Sequence, residues 1–143
     1  MSINKVNPVG KMLSEVDRAY IAGIIDGDGA IMACIERHQE KKFRFRVRLI
    51  LQVTYSRESD AKELLHTLKR GGISRNRTTY DWVLKNQQEI LSILDAISPY
   101  LRVKKRQALL ALKIGERNVE TRRDLQYVAR LADTLSGFNL RSR

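Results

Sequence analysis

The sequence predicts an α+β fold in which helices cover one face of an antiparallel sheet. Three observations predict it. Segments with helical spacing alternate with paired segments of two-residue alternation, in the order αββαββα followed by further helices. The paired segments are joined by short polar turns. The 143 residues, 43% hydrophobic and 30% charged, contain no Pro/Gly-rich linker, low-complexity tract or internal repeat, so residues 1–143 are expected to form a single domain.

Taken in order, residues through Gly10 read as an irregular start. Ser14 and Asp17 have the spacing of a capping box, opening a helix that runs through Ile25 and ends in Asp26-Gly27-Asp28-Gly29. Ala30 to Glu36 reads as a strand and His38 to Lys41 as a turn. Phe43 to Tyr55 is a long second strand. Its Phe43, Phe45, Val47, Leu49, Leu51 and Val53 face one way; Arg44, Arg46, Arg48, Ile50, Gln52 and Thr54 face the other. Glu58 to Arg70 is helical and stops at Gly71-Gly72. Ile73–Arg77 and Tyr80–Leu84 form a hairpin across Thr78-Thr79. Helices follow over Gln87–Ile97, Val103–Ile114 and from Thr121, capped through Asp124, to Gly137.

Charge narrows the function. Twenty-seven Lys and Arg oppose sixteen Asp and Glu, a net charge of +11 and a pI near 10.2, the footprint of a polyanion binder. One cysteine, Cys34, offers neither a disulfide nor a zinc cluster, and no apolar run approaches a membrane span. The N-terminus lacks the apolar core of a signal peptide, so an intracellular setting is expected, either a prokaryotic cytoplasm or an organelle. His38 and His66 form no catalytic constellation, and no phosphate-binding loop or Ser–His–Asp arrangement is present.

The first helix carries the chemistry. Ala19, Gly23 and Gly27 recur every four residues, a stripe narrow enough for a second copy of the same helix to approach. Each Gly costs about 1 kcal/mol relative to Ala inside a helix, so two of them call for a packing reason. Asp26 and Asp28 lie at the helix C-terminus, where the dipole disfavours acids. A two-fold axis along this helix brings two Asp28 carboxylates together, which calls for a cation. Carboxylate oxygens suit Mg²⁺, and paired metals clamp the attacking and leaving oxygens of a phosphodiester. An EF-hand is excluded, because Ile31 and Arg37 stand where Gly and Glu are required.

Tyr20-Ile21-Ala22-Gly23-Ile24-Ile25-Asp26-Gly27-Asp28-Gly29 resembles the LAGLIDADG motif of single-motif homing endonucleases. Gln52-Val53-Thr54, Arg75-Asn76-Arg77 and Ser98-Pro99-Tyr100-Leu101-Arg102-Val103-Lys104 follow in the family's order. The resemblance covers roughly residues 17 to 115. It implies a homodimer that cuts long, nearly palindromic double-stranded DNA using Mg²⁺ or Mn²⁺, in intron homing. It makes Asp28 the metal ligand, assisted by the Gly27 carbonyl, and places Lys104 near the scissile phosphate, with Gln52 and Arg57 also in the catalytic set. Tyr55 and Ser59 stand where relatives often carry an amide and an Arg that organise water, a departure for which Arg57 is the nearby compensating cation. The expected dimer interface is Ala19, Ala22, Gly23, Asp26 and Gly27.

The DNA surface is expected on the polar faces of the strands: Met32, Cys34, Glu36 and His38 from the first, Arg44, Arg46, Arg48 and Gln52 from the second, Arg75 and Arg77 from the third. Arg pairs bidentately with guanine and Gln with adenine, and a two-stranded ribbon fits the major groove. Neighbouring arginines repel unless something negative lies across them. Two alternatives accompany this reading: a maturase of the same fold binding intron RNA, and a basic ribosome-associated or transcriptional protein. The second leaves Asp26 and Asp28 unexplained.

Overall fold

A computed structural model describes residues 9–141; most of the irregular start expected through Gly10 lies outside them. Helix α1 (Glu15–Asp28) is capped by Ser14, whose hydroxyl accepts from the Asp17 N–H at 3.1 Å. Strands β1 (Gly29–Arg37) and β2 (Phe45–Tyr55) form the first hairpin. Helix α2 (Glu58–Leu68), strands β3 (Gly72–Asn76) and β4 (Thr79–Leu84), and helices α3 (Gln87–Ile97), α4 (Lys105–Glu116) and α5 (Arg122–Arg141) complete the chain. A 3₁₀ turn, Ser98–Tyr100, links α3 to the approach to α4.

The sheet is wholly antiparallel, in the order β1-β2-β4-β3. Ile31, Leu49, Leu51, Val53, Trp82 and Leu84 lie on its buried face, against Ile21 and Ile25 of α1, Leu64 of α2, and Ile90 and Leu94 of α3. This is the α+β arrangement expected. Sheet residues there alternate with outward ones that include most of the sheet's charged side chains, so one side of the sheet is oily and the other open. Asn139 of α5 donates to the Ile31 carbonyl at 2.8 Å, tying the last helix to β1; α5 therefore continues past Gly137.

Several boundaries differ from expectation, each for a backbone reason. Lys69, with φ 56°, ends α2 in the left-handed conformation, ahead of the glycines. Gly71 then turns with φ 91°, and a Cβ there would lie 2.7 Å from the indole nitrogen of Trp82, which donates to the Arg70 carbonyl. Strand β2 begins at Phe45, because Arg44 has φ 65°. Helix α4 begins at Lys105, after Lys104 leaves helical geometry at φ −103° and ψ 19°. Beyond the point where β4 ends, the open edge of β2 is met by a side chain: the Gln87 amide accepts from Leu49 N–H at 2.8 Å and donates to its carbonyl at 2.9 Å. No helix among the described residues is long and apolar enough to cross a membrane.

Candidate active site and nucleic-acid interface

Two carboxylates two residues apart at the end of α1 have different environments. Asp26 turns into its own chain. Its oxygens accept the backbone N–H groups of Arg102 at 2.8 Å, Val103 at 3.2 Å and Lys104 at 3.0 Å. Asp28, the last helical residue, is exposed, and its carboxylate has no hydrogen bond or ion pair among the described residues. Lys104 is brought to the same helix end, its ammonium donating to the carbonyls of Ile25 at 3.1 Å and Asp26 at 3.0 Å. A cation on those outward carbonyls answers the negative end of the helix dipole, which two acids alone would aggravate.

Tyr55, at the end of β2, completes this corner. Gly29 pairs with Val53, so Tyr55 extends past the junction of α1 and β1 on the helix side of the sheet. Burial first, then Tyr20, Asp28 and Asp60, push its phenol up to about 12, so it stays protonated and can donate. Arg57, the residue before α2, is exposed and makes no side-chain cap bond.

Among the described residues no three His, Cys, Asp or Glu side chains gather as a metal cluster. At this end of α1, Asp28 is the uncommitted carboxylate among the described residues. That donor set fits a hard cation whose remaining positions are filled by water, a substrate's phosphate oxygens or a second copy, which is how Mg²⁺ is commonly bound.

The helix stripe divides. Ala19, Gly23 and Gly27 are exposed, and a Cβ built on either glycine meets nothing within 4 Å. The smallness of the two glycines therefore serves no contact within the described residues. Val16 and Tyr20, 77% and 50% exposed, extend the same surface. Ala22 does not belong to it, being fully buried in the core; nor does the Asp26 carboxylate, which is spent on the loop before α4.

On the open face of the sheet, Met32, Cys34 and Glu36 lie opposite Ile50, Arg48 and Arg46, as their alternation predicts, and Gln52 lies opposite Ala30. Glu36 bridges both arginines, to Arg46 Nε at 2.5 Å and Arg48 Nη2 at 3.3 Å. Part of the like-charge repulsion expected there is thus offset within the chain. His38 lies just past β1, its N–H donating to the Arg44 carbonyl. Arg44 falls outside the strand, and its guanidinium donates to the Gln39 carbonyl at 3.1 Å. It is not the third member of the row.

The third strand requires a larger correction. Arg75 pairs with Tyr80, between Ile73 opposite Trp82 and the turn, so it projects on the helix side, its guanidinium 6.0 Å from the Tyr80 ring. Arg77, at φ 56°, lies in the hairpin turn. The open face of this hairpin instead carries Ser74 opposite Asp81, Asn76 opposite Thr79, and Val83 opposite Gln52. Asp81 accepts from the Thr54 hydroxyl at 2.6 Å across the strands. Trp82 is the signal that finds them: the largest side chain must face the core, which turns its neighbours Asp81 and Val83 outward.

A profile of the LAGLIDADG endonuclease family matches residues 21–114. DNA endonuclease I-CreI of Chlamydomonas reinhardtii is 33% identical over 99 residues, which are 68% of this chain and 61% of that protein. Among solved structures, the homing endonuclease I-CvuI in complex with the I-CreI target superposes with a TM-score of 0.79 at 26% identity, covering 87% of this chain and 82% of that one. The archaeal intron-encoded homing endonuclease I-Vdi141I complexed with DNA shares the fold, with a TM-score of 0.77 at 21% identity over 87% of this chain and 84% of its own.

Proposed function

Because the chain belongs to the LAGLIDADG endonuclease family, we propose that it is a site-specific DNA endonuclease, cutting both strands of a long, nearly palindromic target as a homodimer. The observation that carries this reading is Asp28: an acid left uncommitted at the wrong end of a helix, beside an exposed stripe of glycines. Two copies of α1 packed along Gly23 and Gly27 would bring the two Asp28 side chains to the dimer axis, one for each strand. The open sheet faces would lie in the major groove of the two half-sites.

Asp28 and the Gly27 carbonyl would hold Mg²⁺ or Mn²⁺. When bound, such an ion supplies charge stabilisation to the phosphate and acidifies coordinated water. The protein's own groups do the rest. Lys104, anchored on the carbonyls of Ile25 and Asp26, sets a positive charge beside the reacting phosphate, where negative charge develops. Asp26 fixes the loop that carries Lys104. Tyr55, where relatives often carry a water-organising amide, is a proton-retaining donor facing the same corner.

The test is cleavage of a randomised or genomic duplex library in Mg²⁺, comparing the protein with Asp28→Asn and sequencing the cut ends. Discrete near-palindromic sites that vanish in Asp28→Asn, with binding retained, support the reading. Binding without cutting by either protein sinks it; intron RNA preferred over duplex would then mark a maturase.

A further inference from the structure

The open face of the sheet holds two arginines and one acid in a bridged group. Glu36 lies directly opposite Arg46 and diagonally from Arg48, and the three side chains are 28%, 34% and 26% exposed. The Arg46 hydrogen bond, with the charges of Arg48, Arg46 and His38, keeps the Glu36 carboxyl below the usual carboxylate range despite opposing desolvation.

The two arginines are not held alike. A guanidinium presents two bidentate edges, one at its end through both Nη atoms and one at its side through Nε. The hydrogen bond from Arg46 to Glu36 runs through Nε, on the side edge of the guanidinium. Glu36 takes Arg48 through Nη2, and the Nε of Arg48 is buried with no partner. Arg48 therefore has its end edge against the acid as an ion pair and its side edge buried. Of the two, Arg46 is met at its side edge, so its end edge, with the paired donors that match guanine O6 and N7, is the one turned from the acid.

We propose that Glu36 is a positioning residue for DNA specificity: it presents Arg46 end-on to read one guanine in each half-site, while Arg48 serves as its second anchor. This rests on the endonuclease reading above and assigns unequal roles to residues of one face. Immobilising Arg46 before DNA arrives spares ordering entropy, and the bridging acid keeps the pair from drifting to phosphates, where charge alone would take them.

The test is selection from a randomised duplex library without Mg²⁺, sequencing what binds to the wild-type protein, Arg46→Lys, Arg48→Lys and Glu36→Gln. The wild type should prefer a G·C pair at one mirrored position by on the order of tenfold or more. Arg46→Lys should erase that preference and leave other positions intact, while Arg48→Lys retains most of it. Glu36→Gln should weaken it several-fold and bind unrelated duplex more tightly, because a negative charge has left the surface. A merely structural role for Glu36 would weaken all binding instead. Equal loss in both lysine variants, or an unchanged preference in Glu36→Gln, overturns the proposal. A wild-type protein that binds DNA without base preference overturns it too, and that lane separates this outcome from a wild type that binds no DNA, which removes the functional reading itself.

Discussion

Asp26 and Lys104, 78 residues apart, are joined twice: the Lys104 N–H donates to the Asp26 carboxylate at 3.0 Å, and its ammonium donates to the Asp26 carbonyl at 3.0 Å. One end of α1 thus holds the start of α4 by backbone and by side chain. The acid is stabilising there although the dipole of its own helix disfavours it, because it accepts two further N–H groups, from Arg102 and Val103.

Asp26→Ala should therefore cost stability, about 1–3 kcal/mol for the backbone donors it leaves behind. Asp28→Asn should not. Its carboxylate has no partner to lose, and removing an anion from a helix C-terminus is neutral or gains about 0.3–1 kcal/mol. Urea unfolding of the two variants measures the contrast. Equal destabilisation would mean Asp28 has a structural partner.

What the sequence shows of this fold depends on whether a segment carries its own pattern. Helix α1, its Ser14 cap and the open face of β2 are legible because Leu49, Leu51 and Val53 are buried strictly in alternation. Strand β3 has only Ile73 to anchor it, so its facing is set by pairing with Trp82 on β4, and Arg75 falls on the side opposite to expectation. Arg44 and Arg77 fail for another reason. Both adopt positive φ, which breaks alternation without leaving a trace such as glycine. The Asp28 corner is half legible: motif spacing points to the acid and the lysine, but nothing local reveals that Asp26 is spent on residues far along the chain.

Lys104→Met should separate chemistry from binding. Its ammonium caps two helix carbonyls, so the expected stability loss is small, about 0.3–1 kcal/mol. Losing a preorganised positive charge beside the phosphate should slow single-turnover cutting on the order of 100-fold. Duplex affinity should change only a few-fold, since one of many cations has gone. Single-turnover kinetics with saturating protein makes the comparison, and an unchanged rate would reduce Lys104 to a helix-end support.

Asp124 supplies an acid-sensitive step in the C-terminal helix. It accepts from the N–H groups of Glu120 and Thr121, both at 3.0 Å, and from Arg117. The Glu120 N–H, then Arg117 and Thr121, hold its carboxyl down at about 2, from an ordinary 3.8. A depressed folded value means the stabilisation is complete above the ordinary value and disappears as pH falls towards about 2. Asp124→Asn should thus be less stable than the wild type at neutral pH and converge with it across that interval. Thermal unfolding against pH, recorded for both proteins, checks the sign.

Gly23→Leu opposes two effects that a merely structural glycine would not separate. Nothing lies within 4 Å of the Cβ position, so the isolated subunit accepts the side chain without a clash. Replacing a mid-helix glycine by leucine gains helix propensity, up to ~1 kcal/mol, within the isolated chain. If α1 packs against a second α1 along this stripe, the same side chain holds the two backbones apart and withdraws each Asp28 from the axis. The variant should then sediment as a folded monomer with native circular dichroism and lose double-strand cutting. Sedimentation over a range of protein concentrations decides it: a Gly23→Leu protein that remains a dimer places the two-fold axis somewhere other than this helix.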